Sequence, residues 1–125
     1  MNDREKIIAN YIEGYNQFDI NKMVTDLDEN IIFKNLQNSE SNMTLSGWTE
    51  FKLQAERSKS YFTTRKQTIK SFKHSDTEIE IEIDYYAILG MDLPNGLKSG
   101  QELNLKGKSI FKFSGHKIVE LTDVS

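Results

Sequence analysis

The first half of the chain carries apolar residues at the spacing of an α-helix. Asp3 precedes the first such run as a candidate N-cap, so the spacing predicts a helix over residues 3–17. Its apolar stripe consists of Ile7, Ile8, Tyr11, Ile12, Tyr15 and Phe18. Asp19 can cap a second, shorter helix, whose buried stripe would be Met23, Val24 and Leu27. A third helix is predicted from residues 46–47 to residues 58–60, and its apolar side consists of Trp48, Phe51 and Ala55.

The second half of the chain changes from a helical period to a period of two. Apolar and acidic residues alternate without interruption over residues 78–85, which predicts a strand with one buried face. The other predicted strands are 31–33, 43–45, 63–72, 103–113 and 117–124. Turns at 74–76 and 114–116 and a loop at 90–100 connect the later strands. Helices followed by an antiparallel meander predict an α+β fold in a single domain, residues 1–125.

The alternating strand predicts a charged outer face of the sheet. With turns centred on residues 75 and 95, its acidic residues lie opposite lysines of both neighbouring strands. The expected pairs are Glu80 with Lys70, Asp84 with Lys66 and Lys106, Glu82 with Lys108, and Glu78 with Lys112. We expect no metal site along this row, because carboxylates spaced about 6.6 Å apart along a strand do not converge on one ion.

The inner face of the same strands is apolar but interrupted by polar residues. The predicted register places Arg65, Gln67 and Ile69 opposite Tyr85, Ile83 and Ile81, with Leu105, Gly107, Ser109 and Phe111 on the far side. Unpaired buried polar groups cost free energy, so this face predicts a cavity rather than a solid core. In the last strand, Asp123 shares its face with Val119 and Leu121, so a carboxylate ends an apolar row.

The composition removes several classes of function. Lys and Arg total 16 against 19 Asp and Glu, a net charge of -3, so the general attraction to phosphate backbones is missing and we expect no nucleic-acid partner. With no cysteine and only two histidines, we expect no structural zinc site and no disulfide. We also expect no cofactor. The N-terminal residues carry no apolar export signal and the apolar runs are short, so we expect a cytoplasmic protein without membrane association.

The order of the elements and several segments resemble the nuclear transport factor 2-like superfamily, in particular its SnoaL-like small proteins. The opening segments are Tyr11-Ile12-Glu13, Asp19-Ile20-Asn21-Lys22-Met23 and Asp28-Glu29-Asn30-Ile31-Ile32-Phe33, and the closing segment is Gly115-His116-Lys117-Ile118-Val119-Glu120-Leu121-Thr122-Asp123. The resemblance covers essentially the whole chain. It implies a curved antiparallel sheet wrapped around the long first helix, a cone with an apolar pocket and, as often in this superfamily, a homodimer through the outer sheet face.

The resemblance does not imply one activity, because this architecture hosts isomerases, cyclases, dehydratases, hydrolases and noncatalytic modules. The two catalytic carboxylates of ketosteroid isomerases are absent, since the corresponding positions are Lys34 or Asn35 and Leu105 or Lys106. SnoaL-like cyclases close with Lys-Ile-Val-Glu, then His-Trp, then an Asp in acid/base chemistry. The present chain keeps Asp123 but has Leu121-Thr122 in place of the His-Trp pair.

Asp123 is the candidate catalytic residue, because desolvation on an apolar inner face would raise its pKa towards the range useful for proton exchange. The alternative is a solvated strand end. Arg65 either binds an acidic or carbonyl ligand or extends to solvent. The candidate ligand-binding residues are Tyr11, Tyr15, Phe18, Phe33, Trp48, Phe51, Phe62, Arg65, Gln67, Tyr85, Ser109 and Phe111. Their aromatic members are first of all core residues, some of which line the cavity.

The sequence therefore predicts a protein that binds a small, partly apolar molecule. If it is an enzyme, we expect cofactor-independent acid/base chemistry on a carbonyl or ring compound, of the isomerase, cyclase or dehydratase type. Asp123 would then exchange the proton, Tyr15 or Tyr85 would orient the carbonyl group, and Arg65 would hold negative charge. The alternative is a noncatalytic dimerisation or protein-interaction module whose cone is filled by its own aromatic residues, and the missing isomerase carboxylates favour it.

Overall fold

The computed structural model describes residues 1–38 and 40–125, and the elements below are those of this part of the chain. The helices are α1 (Asp3–Asn16), α2 (Ile20–Val24) and α3 (Gly47–Lys59). The strands are β1 (Leu27–Gln37), β2 (Glu40–Ser46), β3 (Phe62–His74), β4 (Glu78–Leu89), β5 (Glu102–Ser114) and β6 (Lys117–Val124). Every predicted helix and strand is present; β6 has the predicted bounds, and the other strands are longer than predicted. The assignment of Leu27 to the second helix is wrong, because α2 ends at Val24 and Leu27 begins β1.

Two local features fix α1. Its N-terminus carries a capping box, in which Asn2 Oδ1 accepts a hydrogen bond from the Glu5 backbone N–H at 2.8 Å and Glu5 Oε1 accepts one from the Asn2 N–H at 3.3 Å. The N-cap is therefore Asn2 rather than Asp3. Near the other end, a Cβ added to Gly14 would lie 2.9 Å from the Met23 backbone nitrogen. Because Gly14 has no side chain, α1 can approach α2 this closely.

The strands form one mixed sheet in the order β2-β1-β6-β5-β4-β3. Neighbouring strands are antiparallel except β1 and β6, which run parallel. The expectation of a wholly antiparallel sheet is corrected at this pair. The chain between β1 and β6 contains all the other strands, and this long connection allows β6 to run beside β1 in the same direction. The α+β class, with three helices and a long N-terminal helix over the sheet, is confirmed.

The pairing of β3 with β4 differs from the prediction. Lys66 does not face Asp84, and Lys70 does not face Glu80; the residue opposite Asp84 is Thr68. Lys70 still contacts the acidic strand diagonally, with Nζ 3.8 Å from Asp84 Oδ2. Of the two β3 lysines expected to pair with β4, Lys70 therefore contacts it through a different register, and Lys66 lies opposite Tyr86 instead.

Strand irregularities account for the altered faces. A β-bulge between Ile69 and Ser71 shifts the register and reverses which side chains face the core, so Phe72 packs against the core. A second irregularity, in the β5–β6 pair, makes Ile118 the fully buried residue in place of the predicted Val119. Alternation alone does not predict where an extra residue enters a strand.

The predicted register between β4 and β5 is confirmed. Opposite pairs include Glu78 with Lys112, Glu82 with Lys108, and Asp84 with Lys106. Lys106 Nζ donates to Asp84 Oδ1 at 3.1 Å. Lys108 instead lies nearer Glu80, with Nζ 3.9 Å from Oε2. The outer face thus carries charges of both signs, with Glu78 and Glu82 exposed and Glu80 and Asp84 half-buried.

The core lies between the helices and the inner face of the sheet. Its fully buried members include Ile8, Leu27, Ile31, Ile79, Ile81, Phe111, Ile118 and Leu121. Leu105 shares the inner face but is 54% exposed, because the helices do not cover that end of β5. Within the described ranges, the helices are all too short or too polar to traverse a lipid bilayer.

Candidate functional site

A pocket of about 340 Å³, called the main pocket below, opens on the inner face of the sheet beside Tyr15 of α1. Its neutral polar and acidic lining consists of Tyr15, Asn35, Gln37, Gln67, Tyr85, Ser109 and Asp123. Its large apolar lining consists of Phe62, Ile83, Leu103 and Leu105, and Lys106 and Lys108 also border it. Polar groups therefore converge from β1, β3, β4, β5 and β6 on a space with apolar walls.

Asp123 projects from β6 at one wall of the main pocket. Its neighbours in the sheet are Ser109 of β5 and Asn35 of β1. The Ser109 hydroxyl donates to Asp123 Oδ1 at 2.7 Å. Burial raises the pKa of Asp123 from its ordinary value of 3.8 to about 6, and the hydrogen bond from Ser109 partly opposes that rise. The carboxyl group is thus partly buried and titrates close to neutral pH.

Tyr15 and Tyr85 form a hydroxyl pair across the main pocket wall. Their hydroxyl oxygens lie 2.8 Å apart and share one hydrogen bond. Since one proton occupies that bond, the second hydroxyl proton is free to be donated to another acceptor. Burial raises the pKa of both phenols above their ordinary value of 10.0. Both side chains consequently stay protonated and act as donors at neutral pH.

Arg65 is buried against the tyrosine pair rather than extended to solvent. The side chain is 3% exposed, and its Nε donates to the Tyr15 backbone carbonyl at 2.8 Å. Its guanidinium carbon lies 3.8 Å from the Tyr15 ring centroid and 4.4 Å from that of Phe18. The predicted register opposite Tyr85 is wrong, since Arg65 faces Ala87. A cation over the ring face is attracted to the electron density of that face, and its positive charge stabilises negative charge nearby.

Gln67 takes the position opposite Tyr85 that was predicted for Arg65. A two-bond clamp holds its backbone: Asn16 Oδ1 accepts from the Gln67 N–H at 2.8 Å, and Asn16 Nδ2 donates to the Gln67 carbonyl at 3.1 Å. Among the described residues, neither Gln67 Oε1 nor Arg65 Nη2 has a hydrogen-bond partner. The Gln67 amide oxygen, an acceptor, and Arg65 Nη2, a donor, are therefore left unpaired at neighbouring inner positions of β3, next to the tyrosine pair.

The aromatic residues predicted to bind a ligand lie in different parts of the structure. Phe62 lines the main pocket and packs edge-on against Tyr85, with ring centroids 6.3 Å apart. Tyr11, Phe33 and Phe51 border a second space of about 80 Å³, called the small cavity below. Phe18 covers Arg65 from a left-handed backbone conformation at φ 57°.

Two predicted binding residues line neither space: Phe111 lies in the core, and Trp48 is partly buried and packs against the core. Trp48 donates its indole N–H to the Leu27 carbonyl at 3.0 Å, which joins α3 to β1. Phe111 is completely buried and packs edge-on against Tyr11, with ring centroids 5.7 Å apart. Both residues thus hold the helices on the sheet.

Several residues of the site were not predicted as such, among them Asn35, Leu103 and Asn16. Asn35 reaches the main pocket because parallel pairing sets it beside Asp123, and the sequence carries no signal for a parallel pair. Leu103 lies two residues before Leu105 on the same face, so the period of two was sufficient to find it. Asn16 acts through its clamp on Gln67, a contact between residues 51 positions apart.

No family model and no curated protein sequence matches the chain. Solved structures do match it. A candidate polyketide cyclase from Xanthomonas campestris pv. campestris has a TM-score of 0.83 at 19% identity, covering 98% of this chain and 90% of that chain. A nuclear transport factor 2-like protein of unknown function from Burkholderia pseudomallei has a TM-score of 0.80 at 13% identity, with coverages of 98% and 90%.

A third structure of this fold comes from a co-crystallisation with a small molecule. TerC, co-crystallised with polyporic acid, has a TM-score of 0.77 at 9% identity, and the match covers 98% of this chain and 90% of that chain. Identities this low establish a common fold and leave the activity open. The order of strands, the helices over the inner face and these matches agree with the resemblance found in the sequence. The chain has the nuclear transport factor 2-like fold of the SnoaL-like proteins.

Proposed function

We propose that the main pocket binds a small, partly apolar carbonyl compound and that Asp123 exchanges a proton with it. One observation carries the proposal: a carboxyl group and a hydroxyl pair line the same apolar-walled pocket. Proton transfer next to a carbonyl group needs a base at carbon and a donor at oxygen. Asp123 and the Tyr15–Tyr85 pair provide these two groups on different walls of one space.

The protonation state of Asp123 suits both directions of such a transfer. Because burial raises its pKa to about 6, the carboxylate predominates at neutral pH while the acid remains accessible. In the proposed step, the carboxylate takes a proton from the carbon next to the carbonyl group, and the electron pair of that C–H bond moves to the carbonyl oxygen. Asp123 then returns the proton to the same or a conjugated carbon, so no cofactor is consumed.

The tyrosine pair and Arg65 supply stabilisation of the enolate oxygen. The free hydroxyl proton of Tyr15 or Tyr85 can be donated to it, and the second tyrosine orients the first. Arg65, whose guanidinium carbon lies 3.8 Å from the Tyr15 ring centroid, contributes positive charge next to that ring. Arg65 would therefore act as a positioning residue, and Gln67 and Ser109 would set the orientation of the ligand and of Asp123.

The fold neighbours support a small ring compound as ligand. TerC was crystallised with polyporic acid, and another protein with this fold is a candidate polyketide cyclase. Lys106 and Lys108, which border the main pocket, would favour a neutral or acidic ligand over a cationic one. The pocket volume of about 340 Å³ fits a ligand of one or two rings, whereas the alternative interaction module requires a filled interior.

The test uses 2-methylcyclohexanone as a probe in deuterium oxide, with exchange of its α-protons followed by proton NMR. We expect the protein to accelerate exchange, and the Asp123→Asn variant to lose the acceleration. The Tyr85→Phe variant should lose most of it, because Tyr15 then has no hydroxyl partner. Asp76→Asn is the matched control, since this carboxylate lies exposed in the β3–β4 turn. Exchange equal in the wild type and in Asp123→Asn would remove Asp123 from the chemistry.

Native mass spectrometry of freshly purified protein distinguishes catalysis from binding alone. A retained small molecule, lost on denaturation, together with no acceleration of exchange, would indicate a noncatalytic binding protein. If no ligand is retained and 2-methylcyclohexanone leaves thermal stability unchanged, the main pocket does not serve this class of ligand.

A further inference from the structure

Asp123 and Tyr15 border two separate spaces. On one side is the main pocket, and on the other is the small cavity of about 80 Å³. The remaining lining of the small cavity is Tyr11, Met23, Phe33, Leu45, Phe51, Gln54, Ala55 and Ser58. The carboxyl group and the first tyrosine therefore stand at the junction between a larger, polar-lined space and a smaller one.

The small cavity is apolar where a ligand would touch it. Most of its wall comes from aromatic rings, Met23, Leu45 and Ala55. Two of its polar members are engaged with their own helix: the Ser58 hydroxyl donates to the Ala55 carbonyl at 3.1 Å, and Gln54 Oε1 accepts from Arg57 at 3.2 Å. A polar substituent would find few partners there, while an alkyl group would replace only apolar contacts.

The size of the small cavity limits its occupant to a short chain. A dry apolar cavity of about 150 Å³ holds a benzene ring. The small cavity has about half that volume and is therefore suited to a chain of about three carbons. Ala55 of α3, 8% exposed, and Leu45 of β2 form part of this wall, so a larger side chain at either position would reduce the space.

We propose that the small cavity is a specificity subsite for a short alkyl group on the carbon next to the carbonyl group of the substrate. The inference rests on the proposed function and specifies its substrate class: cyclic ketones or related ring compounds with an α-alkyl branch. A ligand whose ring occupies the main pocket and whose branch occupies the small cavity places the branching carbon at the junction. That carbon then lies between Asp123 and Tyr15, where its proton is to be transferred.

The test is a series of 2-alkylcyclohexanones with methyl, ethyl, propyl and pentyl branches, whose dissociation constants are measured by ligand-observed NMR. We expect affinity for the wild type to rise about fourfold per methylene from methyl to propyl, which corresponds to burial of one CH₂ group. The pentyl compound should bind more weakly than the propyl compound, because the small cavity is too short for it.

Two variants fill the small cavity from different walls. Ala55→Leu and Leu45→Phe should each abolish the gain from methyl to propyl. Leu53→Phe is the matched control, because Leu53 lies on the same helix with 59% of its side chain exposed, and it should keep the gain. Circular dichroism establishes that each variant is folded, and either filling variant alone suffices for the comparison.

The outcomes separate the two proposals. If the wild type accelerates exchange of 2-methylcyclohexanone but affinity changes by less than about twofold from methyl to propyl, the subsite is refuted and the proposed function stands. A gain that persists in both filling variants refutes the subsite equally. If the wild type neither binds nor exchanges any member of the series, the proposed function fails and the subsite with it.

Discussion

Replacing Asp123 by Asn should change the pH dependence of stability in a direction that the structure specifies. Asparagine has nearly the same shape and can still accept the hydrogen bond from Ser109 through its carbonyl oxygen. It does not titrate. The wild-type carboxyl group has a pKa of about 6 in the folded protein and an ordinary value of 3.8 once exposed. The folded state therefore holds the Asp123 proton more tightly than the unfolded state does.

The sign and size of the effect follow by linkage. Because the folded pKa is the higher one, the contribution of Asp123 to stability is fully present below its ordinary pKa of 3.8 and is lost as pH rises through about 6. A difference between 3.8 and about 6 corresponds to about 3 kcal/mol at most. Asp123 is only partly buried, and solvent screening reduces this to about 1–3 kcal/mol. Asp123→Asn should thus gain that much relative to the wild type between about pH 4 and about pH 8.

The assay is urea unfolding of the wild type and Asp123→Asn, followed by fluorescence of Trp48 at about pH 4 and about pH 8. The quantity compared is the change in free energy of unfolding caused by the substitution, at each pH. Asp76→Asn, the same substitution in the exposed β3–β4 turn, is measured alongside as the control. A difference below about 0.5 kcal/mol for Asp123→Asn, or one of opposite sign, would refute the argument that burial controls this carboxyl group.

Three further predictions concern packing and association. Phe111→Ala should lower the free energy of unfolding by about 3–5 kcal/mol in urea titrations, because the ring is completely buried; a loss below about 1 kcal/mol would contradict this. Trp48→Phe should cost about 0.5–2 kcal/mol in thermal unfolding through loss of the 3.0 Å bond to the Leu27 carbonyl, and an unchanged melting temperature would show that this bond contributes nothing. A homodimer through the charged outer face stays a prediction. Because salt screens exposed charges, sedimentation should show this dimer dissociating as the salt concentration rises from about 0.05 M to about 1 M. A monomer at low salt would contradict the prediction.

The sequence contained most of the information for the elements, because their periods are strong. Helical spacing located α1 and α3, and the uninterrupted alternation of residues 78–85 located β4. The sequence contained less information about the register between neighbouring strands. His74 pairs with Ile79, so the β3–β4 turn is centred between residues 76 and 77 rather than on residue 75. The bulge between Ile69 and Ser71, which no glycine or proline marks, changes the register again by one residue, and the predicted lysine partners of β4 on that side were therefore wrong. The β4–β5 register, which no bulge interrupts, was predicted correctly.

The candidate site was harder to predict than the fold because it depends on contacts between distant segments. Inner polar residues pointed to a pocket wall, and Gln67, Tyr85, Ser109 and Asp123 do border one space. The surroundings of Arg65 did not follow from alternation, since its partner is a backbone carbonyl of α1. The separation of Trp48 and Phe111 from the pocket-lining aromatics depends on how each helix is rotated over the sheet, which apolar spacing does not specify.

The insertion of β6 between β1 and β5 has a consequence for folding. Pairing of Leu27 with Ile118 and of Asn35 with Asp123 joins segments separated by most of the chain, so these contacts carry a large loop-closure cost. Asp123 reaches its place only when the central strand has docked on both neighbours. A partly folded chain with an intact β3–β4–β5 meander would hold the tyrosine and glutamine of the site but not its carboxyl group. In the proposed function, recovery of proton exchange after dilution from denaturant would therefore report the last, long-range stage of assembly.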